Sequence, residues 1–317
     1  MVRNRLILAA VAALAPLATP VASPARAEAP APQVIAVPGF ADFLAVDGKT
    51  VWATNRGRVE HWSRKGKLAQ VATPHPCGAM AVSDGALWVA DCQDKAIKRI
   101  DLKTAKIVAT IPTGIANPAG ELNVVAGAGS IWVASDAAGT LARIDPATNA
   151  VAATVAVDPG TWYLAFGFDA VWAVSADKQT LQRVDPKTNT VTGRVGLGAQ
   201  PGFLAAGADG VWVQEQGDGT LARIDPASVT LAGRIKVGAN LKWGDIDTGL
   251  GKVWLRTTDD QVFAVIDPET MTVAARQGKP AGSGALRFTP KGVWTTAHDQ
   301  HTLTWWPAPE SLVKPAA

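Results

Sequence analysis

The sequence is poor in charge, in cysteine and in tyrosine. Charged residues make up 18% of the 317 residues, cysteine occurs twice and tyrosine once. Because charged helix formers are scarce while there are 30 glycines and 21 prolines, coiled coils and long helical rods are excluded. The apolar fraction of 48% excludes a chain that is disordered as a whole. A net charge of +3 is too small to indicate a dedicated nucleic-acid-binding protein.

Long apolar runs are also scarce, and the one of interest lies at the N-terminus. Two arginines precede the apolar run of residues 6–15, which stops at Pro16, well short of the ~20 residues that a membrane-spanning helix needs. The triplet Ala-Arg-Ala at 25–27 has the small-x-small form of a signal-peptidase site. We therefore predict a signal peptide over residues 1–27, cleaved after Ala27, and a periplasmic or secreted protein. No membrane association is expected.

Tryptophan is abundant, with twelve residues. Seven of them occur in near-identical settings, each following a turn rich in Gly or Asp and flanked by apolar residues. Their spacings are 36, 44, 40, 40, 42 and 40 residues. A period of about 40 residues is typical of propeller repeats. The seven are Trp52, Trp88, Trp132, Trp172, Trp212, Trp254 and Trp294.

Each repeat contains four short apolar-alternating runs separated by turns. In most repeats the run after the Trp strand ends on an Asp-Pro pair such as Asp185-Pro186, where the carboxylate caps the turn and the proline cannot continue a strand. Four strands in about 40 residues predict one propeller blade. We therefore predict an all-β fold, a seven-bladed β-propeller with four antiparallel strands per blade over residues 34–307. Residues 28–33 form a flexible lead-in and residues 308–317 a C-terminal tail.

The two ends of this array complement each other. The last repeat lacks a fourth strand, whereas an additional strand, residues 34–38, precedes the first repeat. We predict that this N-terminal strand pairs with residues 302–306 in the last blade and so closes the ring. Closure removes the open sheet edges that would otherwise invite aggregation. The repeated tryptophans would then pack between blades.

The repeat resembles a known propeller repeat. The unit from Trp212 to Gly238, WVQEQGDGTLARIDPASVTLAGRIKVG, resembles the YVTN-type repeat and is similar to repeats of the virginiamycin B (streptogramin) lyase group. The resemblance covers residues 34–307. It implies a seven-bladed ring, and for the lyases a magnesium ion and a histidine base at one mouth, which open a cyclic depsipeptide by elimination. Those repeats typically place Glu three residues after the blade aromatic, and here only Glu215 does so; the other blades have Asn55, Asp91, Ser135, Ser175, Thr257 and Ala297.

One face of the predicted ring is expected to carry the ligand site. In a propeller the loops from fourth to first strands and from second to third strands lie together around the channel mouth, where ligands usually bind. Trp162, Tyr163 and Trp243 depart from the repeat pattern there, and they would either stack on a ligand or plug the channel. The predicted ligand-binding residues are His75, Glu121, Trp162, Tyr163, Trp243, Asp245, Arg256 and Arg287.

The segment His298-Asp299-Gln300-His301 is the strongest candidate for a metal-binding or catalytic site. Its two imidazoles, with Asp259 and Asp260 one blade back, would suit a divalent metal such as Mg or Ca. His298 or His301 could alternatively act as a general base, with Glu215 as a further catalytic candidate. The competing interpretation is an ordinary polar loop with two solvated histidines. We expect no other cofactor.

The two cysteines are expected to form a disulfide. Cys77 lies in the loop that enters blade 2, and Cys92 follows the Trp strand of the same blade. In an exported protein with two cysteines a disulfide is the default, and the alternatives are a metal-binding pair or a reactive thiol. In the chain-entropy model such a bond contributes about 3 kcal/mol.

Taken together, these patterns predict an exported, monomeric binding or scaffold protein. Its ligand, a small molecule, peptide or protein, would bind at the channel mouth without catalysis. One alternative is a metal-dependent lyase of the virginiamycin B lyase type or a related hydrolase. Another is binding of an anionic polymer, with nucleic acid the least expected form, through basic residues of blades 1 and 2. The basic residues that cluster in blade 1 are Arg56, Arg58, Arg64, Lys65 and Lys67.

Overall fold

Each predicted repeat forms one antiparallel sheet, and seven such sheets form a ring. The computed structural model describes residues 30–313. The first strands of successive blades contact one another around the ring, so they line the central channel. The fold is therefore an all-β, seven-bladed propeller with four antiparallel strands per blade, as the sequence predicts.

The strands are numbered in chain order. Blades 1 and 2 contain β2 Leu44–Asp47, β3 Thr50–Asn55, β4 Arg58–Ser63 and β5 Gly66–Ala72, then β7 Ala81–Ser83, β8 Ala86–Asp91, β9 Ala96–Asp101 and β10 Lys106–Pro112. Blades 3 and 4 contain β11 Leu122–Gly127, β12 Ser130–Asp136, β13 Thr140–Asp145 and β14 Ala150–Ala156, then β15 Thr161–Gly167, β16 Ala170–Ser175, β17 Thr180–Asp185 and β18 Thr190–Gly196. A short strand, β6 Gly78–Ala79, pairs in parallel with β11.

The remaining blades complete the ring. Blades 5 and 6 contain β19 Pro201–Gly207, β20 Gly210–Glu215, β21 Thr220–Asp225 and β22 Thr230–Lys236, then β23 Ile246–Gly249, β24 Lys252–Arg256, β25 Phe263–Asp267 and β26 Thr272–Gln277. Blade 7 contains β27 Leu286–Thr289, β28 Gly292–Ala297, β29 Thr302–Pro307 and β1 Gln33–Ala36.

The N-terminal strand closes the ring, as predicted. β1 pairs antiparallel with β29, with Gln33 opposite Trp305 and Ala36 opposite Thr302. The Val37 amide then donates to the His301 carbonyl at 2.8 Å. The strand begins one residue earlier than predicted and ends before Pro38, which has no amide hydrogen to donate.

The seven repeated tryptophans lie between blades, as predicted. Each is at most 1% exposed. In blades 2 to 6 the indole also donates to a backbone carbonyl five residues earlier in the chain, at 3.0 to 3.2 Å. Such a buried indole contributes apolar contact and satisfies its polar atom. The tryptophan therefore ties the first and second strands of its own blade together while it fills the space beside the next.

An arginine connects several of these tryptophans to the following blade. The Arg99 guanidinium lies 4.9 Å from the Trp88 ring and donates to the Pro146 carbonyl of blade 3 at 2.6 Å. Arg143 over Trp132 and Arg223 over Trp212 reach the corresponding turns, with donor–acceptor distances of 2.7 and 3.1 Å. We call this arrangement the inter-blade latch. The Asp-Pro turns, which the sequence indicates only as turn formers, are thus also docking sites for the preceding blade.

The C-terminal tail is partly ordered. A short α-helix, Pro309–Leu312, places Leu312 in an apolar cluster with Phe263 and Trp306 of blades 6 and 7. The other helical segment is a 3-10 turn, His298–Gln300. Within residues 30–313 neither helix has the length or apolar character needed to cross a bilayer. The predicted signal peptide, residues 1–27, lies outside the described residues.

Blade 4 lacks a complete latch, and this suggests a stabilising substitution. Arg183 lies opposite Trp172, but its guanidinium donates no hydrogen bond to the turn of blade 5. The turn of blade 5 has Val229 at φ 55° where the two preceding turns have asparagine at the same left-handed φ. Val229→Asn relieves a β-branched residue in that conformation and offers Arg183 an acceptor, so we expect a gain of about 1 kcal/mol and a melting temperature about 2 °C higher.

Thermal unfolding followed by circular dichroism measures this change. The matched reverse substitution, Asn189→Val, should lower the melting temperature, because it removes the acceptor for Arg143. A Val229→Asn variant that melts at or below the parent temperature would contradict the account of the latch.

Candidate functional site

A cavity opens on the loop face, where the fourth-to-first and second-to-third strand loops meet. We call it the mouth cavity. Its volume is about 380 Å³, and the loops of blades 1, 2 and 3 form its wall. Two predicted mouth residues, His75 and Glu121, line it, together with Phe40, Asp42, Phe43, Asn55, Arg56, Pro76, Cys77, Ala119 and Gly120.

Two carboxylates in the mouth cavity have no protein partner. The backbone of Asp42 is fixed by two hydrogen bonds, since its amide donates to Thr54 O at 3.0 Å and its carbonyl accepts from Thr296 Oγ1 at 2.6 Å. Within residues 30–313, the Asp42 and Glu121 carboxylates accept no hydrogen bond and form no ion pair. The fold therefore holds two acidic groups toward the cavity without neutralising them.

Burial disfavours the ionised form of both carboxyl groups. It raises the pKa of Asp42 well above its usual value, and the negative charges of Glu121, Asp245 and Asp299 raise it further, while Arg256 acts in the opposite direction. Burial, with the nearby charge of Asp245, raises the pKa of Glu121 to about 7. Such a shifted pKa in a cavity is typical of a functional site. Asp42 is the residue that the sequence did not reveal.

Aromatic rings from three blades meet below the mouth cavity. The Phe43 and Phe203 ring centroids lie 5.8 Å apart, and those of Tyr163 and Phe203 lie 4.6 Å apart. Because these residues belong to blades 1, 4 and 5, their rings meet across the channel axis. Tyr163 packs against Phe203 in this cluster and also borders a cavity on the loop face, so its role in ligand binding stays a prediction. Burial also raises its pKa, with a further contribution from Glu121.

The two other unusual aromatics line a second cavity on the same face. This cavity, of about 390 Å³, lies at blades 4 to 6 and contains Trp162 and Trp243. Trp162 is half-buried against the core of blades 3 and 4, and its Nε1 has no partner. Trp243 is 64% exposed and has a left-handed φ of 57°, which is unusual for a bulky residue. Trp243 is therefore available for stacking, whereas Trp162 is mostly structural.

Asp245 and Arg287 are paired with each other in the channel. Asp245 Oδ2 lies 2.5 Å from Arg287 Nη1, and this ion pair joins blades 6 and 7. Both residues line a channel cavity of about 460 Å³, together with Asp247. Burial raises the pKa of both aspartates, although Arg287 counteracts it. These two predicted mouth residues therefore neutralise each other and hold adjacent blades together.

Arg256 has a structural role at the junction of blades 6 and 7. Its side chain is fully buried. The guanidinium donates to the Thr296 carbonyl of blade 7 at 3.0 and 3.2 Å and to the Val262 carbonyl at 3.0 Å. Burial lowers its pKa to about 10. These bonds give Arg256 a role in blade docking, and its role in ligand contact stays a prediction.

Glu215, the glutamate that matches the lyase repeat, is fully engaged in blade 5. It accepts hydrogen bonds from Arg234 at 2.7 Å, from Thr220 Oγ1 at 2.6 Å and from the Gly198 amide at 2.6 Å. Burial opposes ionisation, but these donors outweigh it and lower the pKa of Glu215. Asn55 occupies the same position in blade 1 and likewise binds the entering loop, through the Phe40 amide at 2.6 Å. In blades 1 and 5 the residue three positions after the blade tryptophan therefore anchors the loop that enters the blade.

The candidate metal set does not assemble. His298 stacks on Phe40 with ring centroids 4.0 Å apart, and its Nδ1 lies 3.0 Å from Asp299. Burial lowers the pKa of His298, while Asp299 acts to raise it. His301 Nδ1 lies 2.5 Å from the Gly39 carbonyl and so supports the ring closure. Within residues 30–313 no three His, Cys, Asp or Glu side chains are grouped so that they could hold a metal, the set of Asp259, Asp260, His298 and His301 included.

The disulfide is present and borders the mouth cavity. Cys77 and Cys92 are bonded, as predicted. Nearby, the His75 amide donates to Asp91 Oδ1 at 3.2 Å, and the Cys92 amide donates to the His75 carbonyl at 2.9 Å. The covalent bond and these hydrogen bonds fix the loop that carries His75, whose side chain is exposed.

The basic cluster of blade 1 is partly neutralised. Arg58 and Lys67 both contact the Glu60 carboxylate, at 2.8 and 3.3 Å. Burial opposes ionisation of Glu60, but hydrogen bonds from Arg58, Asn55 and Lys67 lower its pKa. Arg56 instead lies over the Phe40 ring at 5.2 Å, at the rim of the mouth cavity. The five residues therefore do not form one continuous cationic surface.

Solved structures share this architecture at low sequence identity. A virginiamycin B lyase from Staphylococcus aureus superposes with a TM-score of 0.74 and 16% identity over 88% of this chain and 99% of that one. The fold is that of a virginiamycin B lyase-like propeller. A streptogramin B lyase gives 0.74 at 15% identity over 87% and 96% of the two chains. BamB from Moraxella catarrhalis gives 0.63 at 14% identity over 85% of each.

At such identities the likeness establishes the fold alone. No protein-family model matches this chain, and no curated protein matches it. The virginiamycin B lyase-like ring thus provides the scaffold, and the side chains in its mouth have to be judged by their own contacts.

The raised pKa of Glu121 predicts a pH-dependent stability cost. The folded pKa of about 7 lies above the ordinary value of 4.5, so the native state loses stability as the pH rises from about 4.5 to above 7. Glu121→Gln removes the ionisable group. We expect it to raise the free energy of unfolding by about 2–3 kcal/mol at pH 8 and to leave it nearly unchanged at pH 4.5.

Urea unfolding at the two pH values measures the difference. Glu269→Gln is the matched control, since Glu269 is exposed and should give the same small change at both pH values. An equal effect of Glu121→Gln at pH 4.5 and pH 8 would show that Glu121 ionises normally.

Proposed function

We propose that this protein is an exported binding protein that holds a cationic ligand at its channel mouth without catalysing a reaction. The observation that carries the proposal is the pair of unpartnered carboxylates, Asp42 and Glu121, in a cavity of about 380 Å³. The ligand class that suits them is a basic peptide or an amine.

The charges at the mouth favour a cation. A partly buried carboxylate without a partner costs free energy, and a protein retains such a group where a ligand supplies the missing donor. An ammonium or guanidinium group between Asp42 and Glu121 would form charge-assisted hydrogen bonds with both. Arg56 at the rim, which has no ion pair among the described residues, could contact a carbonyl or carboxylate on the outer part of the same ligand.

The second cavity supports an extended ligand. It lies on the same face, exposes the Trp243 ring and is bordered by the side chains of Gln179, Gln200 and Gln216. An exposed indole beside amide groups can stack on a flat or apolar part and hydrogen-bond to polar groups. A peptide could thus place a basic residue in the mouth cavity and its neighbours across blades 4 to 6.

Binding is favoured over catalysis because the candidate catalytic groups have structural partners. Glu215 is held by Arg234, His301 by the Gly39 carbonyl, and His298 is stacked on Phe40. The lyase alternative would also require metal ligands, and residues 30–313 contain no suitable group. The proposed export is supported by the Cys77–Cys92 disulfide, since such bonds persist in oxidising compartments.

Tri-lysine is a suitable probe for the mouth. We expect binding by isothermal titration calorimetry at pH 8, and about tenfold weaker binding at pH 6, because Glu121 is then mostly protonated. The double variant Asp42→Asn/Glu121→Gln should weaken binding at pH 8 at least tenfold. Asp259→Asn, an exposed acidic residue of blade 6, is the matched control and should leave the affinity unchanged.

Two results would count against the proposal. One is the absence of tri-lysine binding at millimolar concentration. The other is equal binding by the parent and the double variant, which would indicate general attraction of the peptide to acidic surface groups.

A further inference from the structure

A further cavity, chemically different from those of the mouth face, lies on the opposite face of the ring, at the junction between blades 7 and 1. Its volume is about 450 Å³. It is bordered by the first-to-second strand turns of both blades and by the end of β29, far from the loops of the mouth. We call it the closure groove and define it by Lys49, Arg64, Lys291, Trp294 and Trp305.

The inter-blade latch is missing at this junction, as it is after blades 1, 4 and 6. In blades 2, 3 and 5 an arginine opposite the repeated tryptophan reaches the turn of the next blade, as Arg99 does opposite Trp88. In blade 7 the residue opposite Trp294 is Trp305. The receiving turn of blade 1 is also shorter, because only Arg64 and Lys65 connect β4 to β5, whereas four residues connect the third and fourth strands in blade 3.

The indole of Trp305 has an unused donor. The residue is only 7% exposed, and its Nε1 has no hydrogen-bond partner. Buried indole N–H groups in proteins usually find an acceptor. Because the Nε1 atom has almost no accessible surface, a ligand in the groove would contact the ring of Trp305 and not this donor.

The charges around the groove have a single sign. Lys49, Arg64 and Lys291 border it, and no acidic residue does. Within residues 30–313 none of the three forms an ion pair; Arg64 lies over the Trp305 ring at 5.6 Å. Pro290 and Pro307 provide apolar walls. The groove therefore combines apolar surface with three cations that form no ion pair among the described residues.

We propose that the closure groove binds a small organic carboxylate with a flat apolar body. The carboxylate faces the three cations, while the apolar body lies between the prolines and the indole rings. The site is independent of the mouth cavity in position and in the sign of the charge that it recognises.

Calorimetric titration with 2-naphthoate tests the proposal, with the neutral 2-naphthamide as the isosteric comparison. We expect naphthoate to bind at least tenfold more tightly than the amide. Arg64→Gln/Lys291→Gln should weaken naphthoate binding at least tenfold and leave the amide unaffected.

Two controls separate this site from others. Lys187→Gln removes an exposed lysine from a turn on the same face and should not change the affinity. Asp42→Asn/Glu121→Gln should also leave naphthoate binding intact, so that the mouth and the groove can fail separately. Equal affinity for acid and amide, or naphthoate binding that survives Arg64→Gln/Lys291→Gln, would overturn the proposal. A chain that sediments as a dimer and takes up no naphthoate would assign the groove to a second copy and overturn it too.

Discussion

The packing of one blade against the next is the constraint on which the whole molecule depends. A single four-stranded sheet cannot bury both of its faces, so each repeated tryptophan needs the neighbouring blade to complete its surroundings. The arginine latches add direction, because Arg99, Arg143 and Arg223 each reach a carbonyl on the following blade. Since each blade stabilises the next, the ring is most vulnerable where the chain ends meet, and β1, His301 and the Gly39 carbonyl secure that junction.

The rigidity of this ring allows the mouth to hold charges that are unfavourable in isolation. The backbone of Asp42 is positioned by hydrogen bonds to blades 1 and 7, and its carboxylate lines the cavity without a protein partner. Most other buried charges of the loop face are neutralised, as Glu215 is by Arg234 and Asp245 by Arg287. The contrast between these paired groups and the unpaired Asp42 and Glu121 marks the mouth cavity as the functional part of the face.

The fold follows from the sequence because a period of about 40 residues is repeated seven times, and the missing fourth strand of the last repeat requires the N-terminal strand. The functional site can be predicted from the sequence to a much smaller extent than the fold. Glu215 and Arg256 are polar residues in mouth-forming segments, but their partners, Arg234 and the Thr296 carbonyl, are set by strand register and by the neighbouring blade. Asp42 could not be predicted as a site residue from the repeat pattern, because it lies in the loop after the closing strand, which has no equivalent in the repeats. The loop sequence Phe40-Ala41-Asp42-Phe43 places an acid between aromatic residues, and this is the sequence feature that could have indicated the site.

We infer that Asp42 and Glu121 remain without an ion-pair or hydrogen-bond partner until a cation binds in the mouth cavity. The most direct measurement is the titration of Glu121 by carbon-13 NMR of its labelled carboxyl group, in the free protein and with saturating tri-lysine. We expect a pKa of about 7 in the free protein and a marked decrease when the peptide is bound. A pKa near the ordinary value of 4.5 that does not respond to the peptide would contradict it.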